Sequence, residues 1–420
     1  METIPLSYSC AIPGLGRLLL ATRLIRHQIV LWFIAGSLLI LNQNATGGTW
    51  TALASTPPDA VITMLLLSDG TVMAEGGNSA TIKNTWYKLT PDSTGSYVNG
   101  TWSTLAAMSY TRLYFSSDVL TNGRVFVAGA EYGTGTNSAE IYDPVGNTWT
   151  TTPPPPAGQV MFYDSGSKIL PNGNVLITPV FPATYGGTVI YNTALNTFSA
   201  GPTLFRGGYQ DEASWVKLPD DSILTIDPFG TNSERYIPSL NQWVNDANVP
   251  VVMYDPFGSE MGPAFLLPDG RAFFIGAYGN TALYTPSGNA TPGVWQAGPA
   301  IPNLAAPDAP GAMMVNGKIL CALSPLPTSG NHFPSPTSFY EYDPVANSFT
   351  QVNGPNGLTL GSAPYVMRML DLPDGSVLFS QSSSQLYVYQ PGGSPLAAGK
   401  PTINSISANL DGSYHLSGGM

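Results

Sequence analysis

An apolar run, a tight turn and a second apolar run recur seven times along this chain, and no other feature narrows its fold so far. The copies read LLLSDGTVMAEGG, DVLTNGRVFVAGA, KILPNGNVLITP, VKLPDDSILTID, FLLPDGRAFFIGA, MMVNGKILCAL and LDLPDGSVLFS. Their turns are Asp69-Gly70, Asn122-Gly123, Asn172-Gly173, Asp220-Asp221, Asp269-Gly270, Asn316-Gly317 and Asp374-Gly375, at intervals of 47 to 58 residues. A repeat of this period signals an architecture of stacked units. The Asx-Gly pairs predict two-residue type I′ hairpins, whose central residues both need positive φ.

A second motif follows each first one: a Tyr strand, a turn and an aromatic strand, as in IYDPVGNTW, RYIPSLNQW and YDPVANSF. Two hairpins per repeat make four strands, one blade of a β-propeller. The ends of the array fit together. The seventh repeat stops after its Tyr strand around Tyr389, while an orphan aromatic strand around Trp50 precedes the first. Joined, they complete a seventh blade and leave no open sheet edge. The prediction is an all-β, seven-bladed propeller over residues 47–394.

The run TRLYFSSDVLTNGRVFVAGA with AEIYDPVGNTW resembles the kelch repeats of the galactose oxidase and glyoxal oxidase superfamily. The resemblance implies fold, and activity only if the family's ligand set is present. That set is a copper site with a Cys cross-linked to a Tyr, a second Tyr and two His. Here the expected mature chain holds only His332 and His415, and Cys321 falls in the sixth blade rather than an early one. Copper radical chemistry is therefore not expected. The tail, residues 395–420, resembles the first hairpin of an immunoglobulin-like domain, too short to complete one.

Before the repeats, Arg17, Arg23, Arg26 and His27 precede an apolar stretch from Ile29 to Leu41. Residues 1–46 read as a signal peptide or an N-terminal membrane anchor, so a secreted or cell-surface protein is expected. Cys321 would then stand alone, with no disulfide to form. Asn44, Asn99 and Asn289 open glycosylation sequons.

The chain is short of charge, with 10% charged residues and a net charge of −11. Nucleic acid needs a basic footprint, which is missing. Where the few charges fall is informative. The strand before each Asx turn lines the central channel, and counting back along it reaches one mouth. That count lands on Asp59, Asp164, Asp211, Glu212, Glu260 and Asp308, with Arg112, Arg368 and Tyr365 in the same zone. Arg112 also matches a recurring kelch Arg that ties blades together. Converging carboxylates suit sugar hydroxyls or a cation. The expected function is a monomeric binding module for an extracellular glycan or protein, with no required cofactor; calcium would suit the carboxylates, and copper is not expected. The alternative is a carbohydrate-active epimerase, lyase or hydrolase using the same carboxylates; a copper oxidase ranks last.

Overall fold

The computed structural model describes residues 47–156, 162, 165–180, 182, 184–409 and 414–419. The leader with Cys10 and Asn44, and the predicted mouth residue Asp164, lie outside the described residues.

Seven antiparallel sheets form the predicted blades. Their first strands are Val61–Leu66, Ser116–Val119, Ser167–Ile169, Trp215–Lys217, Ala264–Leu266, Gly311–Met313 and Arg368–Asp371. Neighbouring first strands adjoin around the axis from blade 1 to blade 5, and from blade 6 through blade 7 back to blade 1. Each sheet buries both faces against its neighbours, which is why the second strands, such as Val125–Ala128 and Ile223–Ile226, are apolar or small and buried throughout. The core is accordingly divided into seven apolar clusters, one at each blade interface. Among the described residues no helix is long and apolar enough to cross a membrane.

Thr49–Ala52 is the outermost strand of the seventh blade, pairing antiparallel with Tyr387–Gln390 in the register Trp50↔Tyr389. The Trp50 ring meets Phe339 and Phe379 edge-on at 5.2 Å and tilts over Tyr389 at 4.7 Å. Its indole Nε1 donates to the Asn353 carbonyl, and Tyr389 donates its hydroxyl to Glu341 at 2.6 Å. The closing strand is thus locked to the sixth blade as well as the seventh.

The turns depart from the expected type. In each of the six glycine copies the Gly has φ between 80° and 85°, and Asp221 has φ 64°, but the preceding Asx is not left-handed. Gly70 N–H donates to Leu67 O, and Leu67 N–H donates to Thr71 O. This is a type I turn followed by one left-handed residue, a three-residue loop. The Asx side chain has a separate task. In all seven copies its Oδ1 accepts the backbone N–H two residues on, at 3.0–3.1 Å. The Tyr motif has its own reason: Tyr142, Tyr191, Tyr236 and Tyr342 donate to Asn147, Asn196, Asn241 and Asn347 at 2.8–2.9 Å. Each of these Asn residues holds a positive φ in the turn.

Beyond the ring, Leu396 N–H donates to Val315 O, and a hairpin follows with Thr402–Ala408 paired to Tyr414–Gly419. The hairpin is exposed along both strands.

Candidate functional site

The mouth at the start of the first strands encloses a cavity of about 720 Å³. Glu212, Glu260 and Asp308 reach it from the segments entering blades 4, 5 and 6, and Tyr365 and Arg368 from the entry to blade 7. One carboxylate oxygen from each of Glu212, Glu260 and Asp308 lies within 4.8 Å of the others. Carboxyl groups this close repel when ionised, so something must hold them there.

The backbone does so. Glu212 and Asp308 carry φ of 59° and 48°, and Ser259 beside Glu260 carries 63°. Non-glycine residues adopt this region at a cost of about 1–3 kcal/mol, and persist in it when the surroundings over-determine them. Those surroundings are visible. Ser214 Oγ donates to Gly262 O at 2.6 Å, tying the Glu212 and Glu260 segments together. Asp308 N–H donates to Met261 O at 2.9 Å. The fully buried Asp255 accepts Phe257 and Gly258 N–H, and its own N–H donates to Glu260 O. His332, in the long loop of blade 6, approaches Asp255 with Nδ1 at 3.3 Å. His332 therefore braces the Glu260 loop instead of entering the cavity. Its neighbour Phe333 does enter, and packs on Tyr365 at 4.8 Å between ring centres.

Burial, then repulsion from Glu260, Asp211 and Glu131, pushes the Glu212 carboxyl up to about 8, while a hydrogen bond with Asp308 pulls it back. Asp211 is raised by burial, and Glu131 by burial and by Asp211. Arg368 enters from blade 7, beside the Asp308 blade, and feels the Asp308 charge; its Nη1 donates to the Tyr365 and Met367 carbonyls at 2.7 and 2.6 Å. Its guanidinium lies 5.6 Å from the Tyr114 ring centre. Burial pushes the Tyr114 phenol up to about 12.

Of the predicted residues, Glu212, Glu260, Asp308, Tyr365 and Arg368 share one lining, and Asp211 contributes through its charge. Arg112 is a correction. It is fully buried, and its guanidinium donates to the Gly129, Gly135 and Ser138 carbonyls and to Glu140 at 3.0 Å. Glu140 also accepts Ser109 N–H, from the segment leading into the blade. Arg112 is a structural tie, and Tyr114, two residues on, faces the cavity in its place. Asp59 is held by Lys83, Thr85 and Tyr87 and does not line the cavity.

Tyr114, Glu131, Tyr132 and Phe333 were not anticipated. Glu131 and Tyr132 follow the second strand of blade 2, which returns to the same mouth. A forward count from each turn, besides the backward one, would have found them.

The clustered donors are carboxylate oxygens, hard ligands that suit calcium or magnesium. They do not fit a copper radical set. Cys321 is buried in the second strand of blade 6, its thiol pushed up by burial, and it is not part of the cavity lining. His415 sits in the C-terminal hairpin.

Comparison with known proteins agrees with the fold. The Kelch motif family model matches residues 112–156, the segment carrying blade 2. No curated protein matches the chain in sequence. Among solved structures, a fungal alcohol oxidase of the AA5 family, in complex with copper, is 16% identical, with a TM-score of 0.64 over 86% of this chain and 81% of that one. A virginiamycin B lyase from Staphylococcus aureus is 12% identical, with a TM-score of 0.54 over 81% of this chain and 99% of that one. The extracellular domain of a putative hybrid two component system from B. thetaiotaomicron is 12% identical, with a TM-score of 0.56 over 88% of this chain and 44% of that one. At these identities the likeness is one of fold.

Proposed function

We propose that this kelch-type propeller is a binding module that takes a sugar, or the end of a glycan, in the mouth of its channel. The observation that carries the reading is the convergence of Glu212, Glu260 and Asp308, from three blades, in one cavity that Arg368 also lines. Carboxylates accept hydrogen bonds from sugar hydroxyls, the guanidinium donates, and Tyr114, Phe333 and Tyr365 offer faces to apolar C–H surface. At about 720 Å³ the cavity falls in the range of roughly 300–1,000 Å³ usual for small-ligand sites.

Isothermal titration against mono- and oligosaccharides tests this. Glu260→Gln should weaken a bound sugar about 10- to 100-fold, since a hydrogen bond to a charged group contributes about 1.5–3 kcal/mol. Unchanged affinity in that variant sinks the mouth reading.

One observation favours a second reading, an acid–base enzyme on the same residues. Glu212 keeps its proton near neutral pH within reach of two other carboxyl groups, so the mouth offers a donor and an acceptor together. Glu212→Gln should then abolish turnover while leaving sugar affinity within about threefold, a change under 1 kcal/mol. Turnover that survives the substitution removes this reading.

The same proton shapes stability. Glu212 moves from 4.5 to about 8 on folding, so the folded state binds more protons. The stabilisation is complete below 4.5 and lost as pH rises through 8. Asp211, Glu131 and the fully buried Glu75 are raised in the same direction. Melting temperature should fall between about pH 4.5 and pH 8, and Glu212→Gln should flatten that fall. A variant with the wild-type slope would show that Glu212 ionises freely.

Export is proposed from residues 17–41 alone. The mass of the chain recovered from culture medium or membranes distinguishes a cleaved leader from a retained anchor.

A further inference from the structure

A second cavity, of about 360 Å³, opens between blades 3 and 4. Three large aromatic side chains around it stay in solvent: Tyr185 is 62% exposed, Tyr209 42% and Phe229 56%. Exposed rings scattered singly need no explanation, but three around one hollow do. Tyr185 is also held in place without being covered. A Cβ on Gly207 would lie 2.7 Å from its ring, so the Gly207 backbone rests directly against the ring. Gly207 and Gly208 have φ of 71° and 93°, so glycine is needed for the path as well as the approach. The Tyr185 and Tyr209 rings meet at 89° with centres 5.4 Å apart, making a corner.

Polar groups at this corner are fixed from behind. Asp227 Oδ1 accepts Phe229 N–H at 2.9 Å. Glu234 accepts the Phe205 and Arg206 N–H groups at 2.7 and 2.8 Å, and Arg206 Nη2 donates to Asn245 at 2.6 Å. Carboxylate oxygens have about two lone-pair sites each, so acceptor capacity remains after these bonds. The corner thus combines ring faces with acceptors on Asp227 and Glu234 and a donor on Arg206. A pyranose, with C–H faces and a rim of hydroxyls that both donate and accept, matches the arrangement.

We propose that this corner is a second sugar subsite, taking one ring of an oligosaccharide whose neighbouring ring occupies the mouth. The proposal rests on the sugar reading of the mouth and makes the ligand an oligomer. Continuity of the chain supports it. Tyr209 and Glu212 lie on the one segment entering blade 4, three residues apart, so their Cα atoms are separated by no more than about 11 Å. Asp227 follows the second strand of blade 4, which returns to the same side of the ring as the mouth residues.

The test is isothermal titration of the full chain with the mono- and tetrasaccharides of chitin, β-1,4-glucan, β-1,4-xylan and galacturonan. Tyr185→Ala and Tyr209→Ala, both exposed and expected to fold, are compared with Glu260→Gln, and melting curves check each variant. The expected result is a tetrasaccharide that binds tighter than its monosaccharide. The tyrosine variants weaken it about tenfold or more and leave the monosaccharide unchanged. Equal losses for both sugar lengths, or no loss in either tyrosine variant, overturns the subsite while leaving the mouth intact. A tetrasaccharide loss in the tyrosine variants with Glu260→Gln silent supports the corner and overturns the mouth reading. No binding of any of these sugars overturns both.

Discussion

A chain lacking residues 48–54 loses its cooperative unfolding transition, because the seventh blade is left with three strands and the ring with a gap. The deleted strand carries the whole Trp50↔Tyr389 ladder, the aromatic contacts to Phe339 and Phe379, and the Gly48 N–H bond to the Tyr389 hydroxyl. It also uncovers the edge of Tyr387–Gln390, a row of unpaired backbone groups that invites association. Trp50→Ala alone should cost about 3 kcal/mol, the low end for truncating a packed Trp, because one edge of the ring stays in solvent. The deletion removes more than this from a fold whose total stability is on the order of 5–15 kcal/mol. Thermal and urea unfolding followed by tryptophan fluorescence measures both variants. A deletion variant with the wild-type midpoint would refute ring closure as the source of stability.

The second large effect lies at Arg235. Its side chain is fully buried, and Nε donates to Asp246 at 2.5 Å. Nη2 crosses into blade 5 to the Asn289 and Thr291 carbonyls at 3.0 and 2.6 Å. Asp246 accepts in addition the Tyr284 hydroxyl and the Gly293 N–H, both from blade 5. The pair therefore joins two blades. Removing one partner of a buried pair strands the other charge, and Arg235→Met should cost about 3–5 kcal/mol in urea denaturation. The contrast is Lys217 with Asp221, whose atoms are 2.8 Å apart but whose side chains are partly exposed; Lys217→Ala should cost at most about 1 kcal/mol. A loss below about 1 kcal/mol in Arg235→Met would mean that water or a rearranged neighbour satisfies Asp246 in its absence.

The fold was written in the sequence because its repeats perform repeated physical tasks. The seven Asx residues each cap one N–H, and four Tyr residues each reach one turn Asn. Turn type was misread, because the letters Asx-Gly do not say whether the loop begins at the Asx or one residue earlier. The mouth was legible where it obeyed the backward count from the turns, as Glu212, Glu260 and Asp308 do. Tyr114 was hidden for a different reason. It stands eight residues before Asn122, as Glu212 and Asp308 stand eight before Asp220 and Asn316, and it shares their positive φ, but it carries no charge, and Arg112 two residues earlier does. Phe333 comes from a loop whose course depends on His332 meeting Asp255, a contact between blades that spacing along the chain does not encode.

The strand that closes the ring also sets a timetable. Gly48 bonds a tyrosine 341 positions away, so the first strand of the ring has no partner until the last strand of the ring has emerged. Six blades can assemble hairpin by hairpin while Trp50 waits. The entropic cost of closing so long a loop grows only logarithmically with its length, so the final step is slow to be reached more than unfavourable to make. Until then the growing protein is an open arc with two sticky edges, and its period of greatest exposure to aggregation ends with the meeting of its two ends.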